Sequence, residues 1–188
     1  MRTVSFFFLL CLVGCNAQTD GNGFRVIDVP AKEPGTLGEP GYGRFRSQVI
    51  DTQEEFDRFV KQIEAQTGWR DQASFLKALR DANLDLTRES LVLIRHWEPS
   101  NATTATLATP RREGDKLVCE VHSHVPLSVM WIAVCHCFAV AVDKARVKQV
   151  EVWAVIFAQQ WPQLNQGEVW VREESSDKPR EVLLVNAK

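Results

Sequence analysis

Residues 91–97 read Leu-Val-Leu-Ile-Arg-His-Trp. The run is compact, rich in β-branched and aromatic side chains, and too short for an ordinary helix, so it reads as a strand, and a central one. Upstream of it the pattern is helical. Thr52-Gln53-Glu54-Glu55 has the form of a capping box, in which the Thr hydroxyl and a Glu carboxylate satisfy the free amides of a helix start. Phe56, Phe59, Val60 and Ile63 then recur at helical spacing and end before Thr67-Gly68. A second helix is expected from Asp71 to Ala82, burying Phe75, Leu76 and Leu79.

Downstream the period changes to that of strands. Thr103–Thr109, Lys116–His124, Met130–Val142 and Val147–Trp153 are expected strands, with Glu113-Gly114-Asp115 and Asp143–Arg146 as turns. Arg46–Ile50 precedes the helices as a short strand, and Glu168–Arg172 and Glu181–Val185 flank a polar stretch near the end. The expected fold is α+β: one or two N-terminal helices packed on a mostly antiparallel sheet joined by hairpins. This element order resembles the C-terminal-like domain of the protease-complex-stabilising subunit family of bacterial envelopes. The shared features are an acidic, Phe-containing helix (Glu54–Phe59) and a segment leading into a strand (Leu84–Ile94), followed by a meander. Where that family has a Thr-Gly-Gly-Tyr-like turn, this chain has Pro99-Ser100-Asn101-Ala102-Thr103, without the glycines or the tyrosine.

The N-terminal residues carry a different message. Met1-Arg2-Thr3 is a short basic start, and Val4–Val13 is an apolar run too short to span a bilayer, which takes about 20 residues. The two together read as a signal peptide. Leu12-Val13-Gly14-Cys15 resembles the lipobox of bacterial lipoproteins, which implies cleavage before Cys15 and acylation of that residue. The alternative is ordinary cleavage after Ala17. The expected division is therefore a signal peptide at 1–14, a lipidated Cys15 with a flexible Gly/Pro-rich tether over 15–43, and a single domain over 44–188. One short apolar piece, Phe24–Val29, interrupts the tether and suits an edge strand. Several acyl chains make a stable anchor, whereas one gives only marginal binding. Asn16, rather than Asp, follows the Cys; by resemblance to Gram-negative sorting this implies the outer membrane, facing the periplasm, in an organism that has one.

Of the 188 residues, 45% are hydrophobic and 24% charged, which suits a globular chain rather than a disordered one. The formal net charge of -2 leaves no electrostatic footprint for nucleic acid. No phosphate-binding glycine loop, nucleophile elbow or helical zinc-protease motif is present, and no cofactor is implied.

The residues that bear chemistry gather in two strands: Cys119, His122 and His124 in one, Cys135, His136 and Cys137 in the next. Strand alternation puts His122 and His124 on one face and Cys119 on the other, while Cys135 and Cys137 share a face opposite His136. If His124 pairs with Met130 in a hairpin, Cys119 lies opposite Cys135. A disulfide between them is then expected in an oxidising compartment, with Cys137 left as a thiol. The competing expectation is a metal site using His122 and His124 with Cys137, or the Cys135/Cys137 pair. His96 falls on the face of Val92 and Ile94 and reads as an ordinary strand residue, and Glu98 as the start of a loop. A hydrolytic site would need a pocket joining His96 or His136 to a nucleophile. Trp97, Trp131 and Trp153 are expected core or interface anchors; Trp161 and Trp170 lie in the less patterned last third. The expected function is a non-enzymatic envelope lipoprotein, anchored in the membrane through Cys15 and binding or scaffolding a protein partner. The alternative is an envelope metal-binding protein.

Overall fold

The computed structural model describes residues 21–30, 32–34, 39–127, 132–160, 169–173 and 177–185. In chain order these form β1 (Phe24–Ile27), β2 (Lys32–Pro34), β3 (Gln48–Ile50), α1 (Gln53–Glu64), α2 (Gln72–Asp81), β4 (Glu89–Glu98), β5 (Thr104–Leu107) and β6 (Arg111–Glu113), then β7 (Lys116–Val125), β8 (Val134–Asp143), β9 (Gln149–Gln160), β10 (Val169–Glu173) and β11 (Glu181–Leu184). The fold is α+β with mostly antiparallel pairing. Two sheets are present where the sequence suggested one. The first has the order β1-β8-β4-β3, with β2 also on β8, and every pair in it is antiparallel. The second has the order β10-β9-β7-β5, with β11 on β9 and β6 on β7; β7 and β9 run parallel and the other pairs antiparallel.

The first sheet is the middle layer. On one face Leu91, Leu93, Cys135, Cys137, Ala139 and Ala141 share a core with Phe59 and Ile63 of α1 and Phe75, Leu76 and Leu79 of α2. On the other face Val92, Ile94, Phe138, Val140 and Val142 share a core with Leu117, Cys119, Val121, Val150 and Val152 of the second sheet. Strands buried on both faces need apolar side chains at nearly every position. In β8 every residue from Val134 to Val142 is buried. In β7, Leu117, Cys119, Val121 and Ser123 face inward and are buried, while Glu120, His122 and His124 are half-buried on the other face, the pattern of an outer sheet.

That difference explains why β7 and β8 do not form the expected hairpin. β8 pairs with β4 along its whole length, and β7 pairs with β9. The chain between β7 and β8 crosses from one sheet to the other. The expected strand over Met130–Val142 starts at Val134; residues 128–131 lie outside the described residues.

The local signals before Glu89 hold. Thr52 Oγ accepts from the Glu55 amide at 3.2 Å, and Glu55 Oε2 accepts from the Asp51 amide at 2.9 Å, a reciprocal cap. The two-residue loop between β6 and β7 has Gly114 at φ +67°, a conformation glycine adopts without steric cost. The expected tether over 15–43 is folded where it is described. β1 and β2 pair with β8, and Phe24, Ile27, Val29 and Tyr42 are buried. The Tyr42 ring packs edge-on against Phe45, Trp69 and Phe75, and its hydroxyl donates to the Pro30 carbonyl. The apolar positions of this stretch outweigh its Gly/Pro content.

Thr52→Ala should lower stability by about 1 kcal/mol through loss of the cap. Phe59→Ala, at a side chain only 3% exposed, should cost about 3–5 kcal/mol. Urea unfolding of both variants measures the two effects, and a Phe59→Ala loss no larger than that of Thr52→Ala would contradict the layered core.

Candidate functional site

Two groups of side chains stand apart from the apolar cores. The first is buried between the sheets. β4 alternation turns His96 and Glu98 toward the second sheet, on the face of Val92 and Ile94. His136 is the register partner of His96 across β8, so both rings lie on that face, with centroids 6.5 Å apart. Ser123 reaches them from β7. His96, Glu98, Ser123 and His136 are 4%, 8%, 2% and 1% exposed. From the segment before β11, Arg180 Nη1 lies 3.0 Å from His96 Nδ1.

Arg180 can only donate, so Nδ1 must accept. The single ring proton then sits on Nε2, as assigned from the network. Nε2 donates to Glu98 Oε1 at 2.5 Å, with Ser123 Oγ 3.0 Å from the same nitrogen, and the Ser123 hydroxyl donates to the same carboxylate oxygen. Burial pushes the Glu98 carboxyl up, but hydrogen bonds from His96 and Ser123 and electrostatic attraction to the His96 and His136 rings outweigh it. The net position is below the ordinary carboxylate value.

The cluster joins His96 to a hydroxyl and an acid, the constellation a hydrolase would need, but in a different order. A nucleophilic triad sets the hydroxyl and the acid on opposite ring nitrogens. Here both meet Nε2, Nδ1 faces a cation, and the hydroxyl is closed off from solvent. A metal-bound imidazole also donates its second N–H to an acceptor, as Nε2 does to Glu98, but here the nitrogen a metal would need, Nδ1, accepts from the Arg180 guanidinium instead. Among the described residues, no group of three or more His, Cys, Asp or Glu side chains is placed to hold an ion. The geometry supports a polar clasp between the two sheets.

The second group lies on the outer face of the second sheet. His122 and His124 of β7 flank Phe157 of β9, with ring centroids 5.1 and 5.0 Å from it, and His124 also meets Trp170 of β10 edge-on at 5.3 Å. His122, His124, Phe157, Trp170 and the neighbouring Trp153 are half-buried. A polar line borders the rings: Arg111 Nη1 pairs with Glu120 Oε1 at 2.5 Å, and His122 Nε2 lies 3.2 Å from Glu120 Oε2. The Arg111 hydrogen bond, with that of His122, holds Glu120 below its usual range. A groove of about 470 Å³ between β1 and α2, lined by Arg25, Val26, Lys77 and Asp81 among others, is separate from both groups. Arg25 pairs with Glu89 and the Ala82 carbonyl, and Lys77 with Asp81; Asp28 also lines the groove.

The expected pairings of cysteines and histidines are corrected by this layout. Cys119 lies in the core between the sheets, and Cys135 and Cys137 in the core beneath the helices, so the middle sheet separates the expected bridge partners. Among the described residues no disulfide joins any of the three. Burial pushes the Cys119 thiol up to about 12 and raises that of Cys137 as well, which keeps both protonated and poor as ligands or nucleophiles. His122 and His124 do share a face, but their rings pack on Phe157, and Cys137 is on the far side of the middle sheet. Cys15, Trp131 and Trp161 lie outside the described residues. Glu98 ends β4 instead of starting a loop. The clasp of His96, Glu98, Ser123, His136 and Arg180 is not legible as a group in the sequence, because its members come together only through strand pairing. The signal present was polar residues at 96 and 98 in phase with the apolar Val92 and Ile94. No family model, curated protein or solved structure matches this chain.

Two outcomes follow. Alkylation of native protein should modify Cys119, Cys135 and Cys137 at least about tenfold more slowly than in urea, because reaction needs an exposed thiolate; rapid native labelling would contradict their burial. Glu98, with its folded value depressed below the ordinary 4.5, contributes stability that is full above about that pH and is lost as pH falls through the folded value. Glu98→Gln should therefore be less stable near neutrality and lose stability less steeply in acid, as read by thermal melts across that range.

Proposed function

We propose that this chain is a lipid-anchored cell-envelope protein without enzymatic activity, a module that binds a protein partner through the outer face of its second sheet. The anchor rests on Leu12-Val13-Gly14-Cys15. Asn16 favours the outer membrane with the body facing the periplasm. Phe24 begins the first strand, so the link from Cys15 reaches at most about 30 Å when fully extended, and the body stays close to the lipid surface.

The observation that carries the binding reading is the ring cluster of His122, His124, Phe157 and Trp170 on an outer sheet face. Half-buried aromatic side chains beside charged groups are the usual anchors of protein interfaces: an aromatic centre supplies the apolar area and a polar rim the orientation. Arg111 and Glu120 provide such a rim here. The helix layer lies on the opposite side of the molecule, over the first sheet.

Cys15→Ala should abolish incorporation of labelled fatty acid; unchanged labelling would remove the anchor. A photo-crosslinking residue at position 124 should give a discrete higher-mass product in intact cells. The same probe at Lys61, exposed on α1, should give none, and Trp170→Ala should remove the product at 124. No product at 124, or the same products at both positions, would overturn the binding surface.

A further inference from the structure

We propose that Arg180 and a proton compete for the Nδ1 lone pair of His96, making this contact a proton-operated latch on the C-terminal strand β11. The inference is independent of the binding face described above. β11 is a short strand at the edge of the second sheet, begun by the Arg180 amide donating to the Val152 carbonyl at 2.8 Å. Half of its side chains point away from the core: Val182 and Leu184 are 49% and 56% exposed. Apolar attachment is left to Leu183 and, just beyond the strand, Val185. The Arg180 guanidinium supplements this modest burial by reaching across to β4, tying the residue just before the strand to the other sheet.

The groups around His96 decide how that tie responds to acid. Glu98 on the same strand holds Nε2, and the neutral Ser123 of β7 backs it. His136 of β8 is a second titratable ring on the same face. On the C-terminal segment, Glu181 follows Arg180 and turns inward in register with the core residue Val152, its Oε2 buried. A proton added to Nδ1 would set N–H against N–H and cation against cation at the 3.0 Å contact. Glu98 would still hold the imidazolium from Nε2. Acid therefore exchanges Arg180 for a proton without dissolving the rest of the clasp, and the edge of β9 from Gln149 to Val152 becomes easier to open. Linkage makes the competition reciprocal: docked Arg180 opposes protonation by the factor with which protonation opposes docking.

Hydrogen exchange of the envelope-purified protein, read on a peptide covering residues 180–185 and corrected for the chemical rate, tests the latch. Opening of β11 should be about tenfold more frequent at about pH 5 than at about pH 7.5, the scale of one lost hydrogen bond to a charged group. Arg180→Met should exchange faster than the parent near pH 7.5 and lose the pH dependence, whereas Glu181→Gln should retain it. Nitrogen-15 spectra should place the His96 proton on Nε2 at the higher pH. No pH dependence in the parent, its persistence in Arg180→Met, its loss in Glu181→Gln, or a proton on Nδ1 at the higher pH would each overturn the proposal.

Discussion

Burial of β4 and β8 on both faces is the constraint from which the rest of the architecture follows. Leu91–Ile94 and Val134–Val142 have almost no solvent-facing position. Two such strands stabilise each other side by side, but the pair still presents apolar side chains above and below. Each face then needs a cover: α1 and α2 on one side, the second sheet on the other. The crossing of the chain between β7 and β8, the parallel pairing of β7 with β9, and the use of β1 and β2 to extend the middle sheet all serve that arrangement. At about 25 cal/mol per Å² of apolar surface buried, two covered faces outweigh the local economy of a hairpin.

The same constraint makes the clasp expensive and specific. A charged or polar group between two apolar layers costs free energy unless its hydrogen bonds are made. His96, Glu98 and Ser123 satisfy one another across the sheets, and Arg180 closes the remaining nitrogen. Removing one partner would leave the others buried with bonds unmade, so the cluster favours one alignment of the two sheets over neighbouring ones. Its chemistry is that of an internal fastening: the acid and the hydroxyl use the same ring nitrogen, and solvent does not reach them. The outer face of the second sheet has the opposite character. His122, His124, Phe157 and Trp170 are packed on one another yet remain within reach of another molecule.

Much of this was legible in the residues. Thr52 to Glu55 announced a helix cap by local hydrogen-bonding chemistry, and the spacing of Phe56, Phe59 and Ile63 announced the buried stripe, because both depend on neighbours within one turn. Period-2 alternation assigned the faces of Cys135, His136 and Cys137 correctly, since a strand's pleat does not depend on its partner. Leu91–Trp97 was legible as a central strand for the same reason. What alternation cannot specify is which strand lies alongside. The proposed Cys119–Cys135 bridge rested on a β7–β8 hairpin, and the two cysteines instead entered different cores once those strands joined different sheets. Within the Gly/Pro-rich stretch before Phe45, the apolar piece Phe24–Val29 was legible as an edge strand, which is β1; composition, which averages over positions, did not show that β2 and Tyr42 also join the packed body.

The sequence by itself determined the two helices and the type and inward face of the longer strands, all of which are written in local patterns. The tertiary structure alone decided the pairing of strands and hence the company each side chain keeps. His96 and Glu98 lie two residues apart, but Ser123, His136 and Arg180 come from three other strands or their borders, and His124, Phe157 and Trp170 from three strands of the second sheet. Pairing is settled by the burial of whole faces at once, a property of the assembled layers that no short window of residues contains.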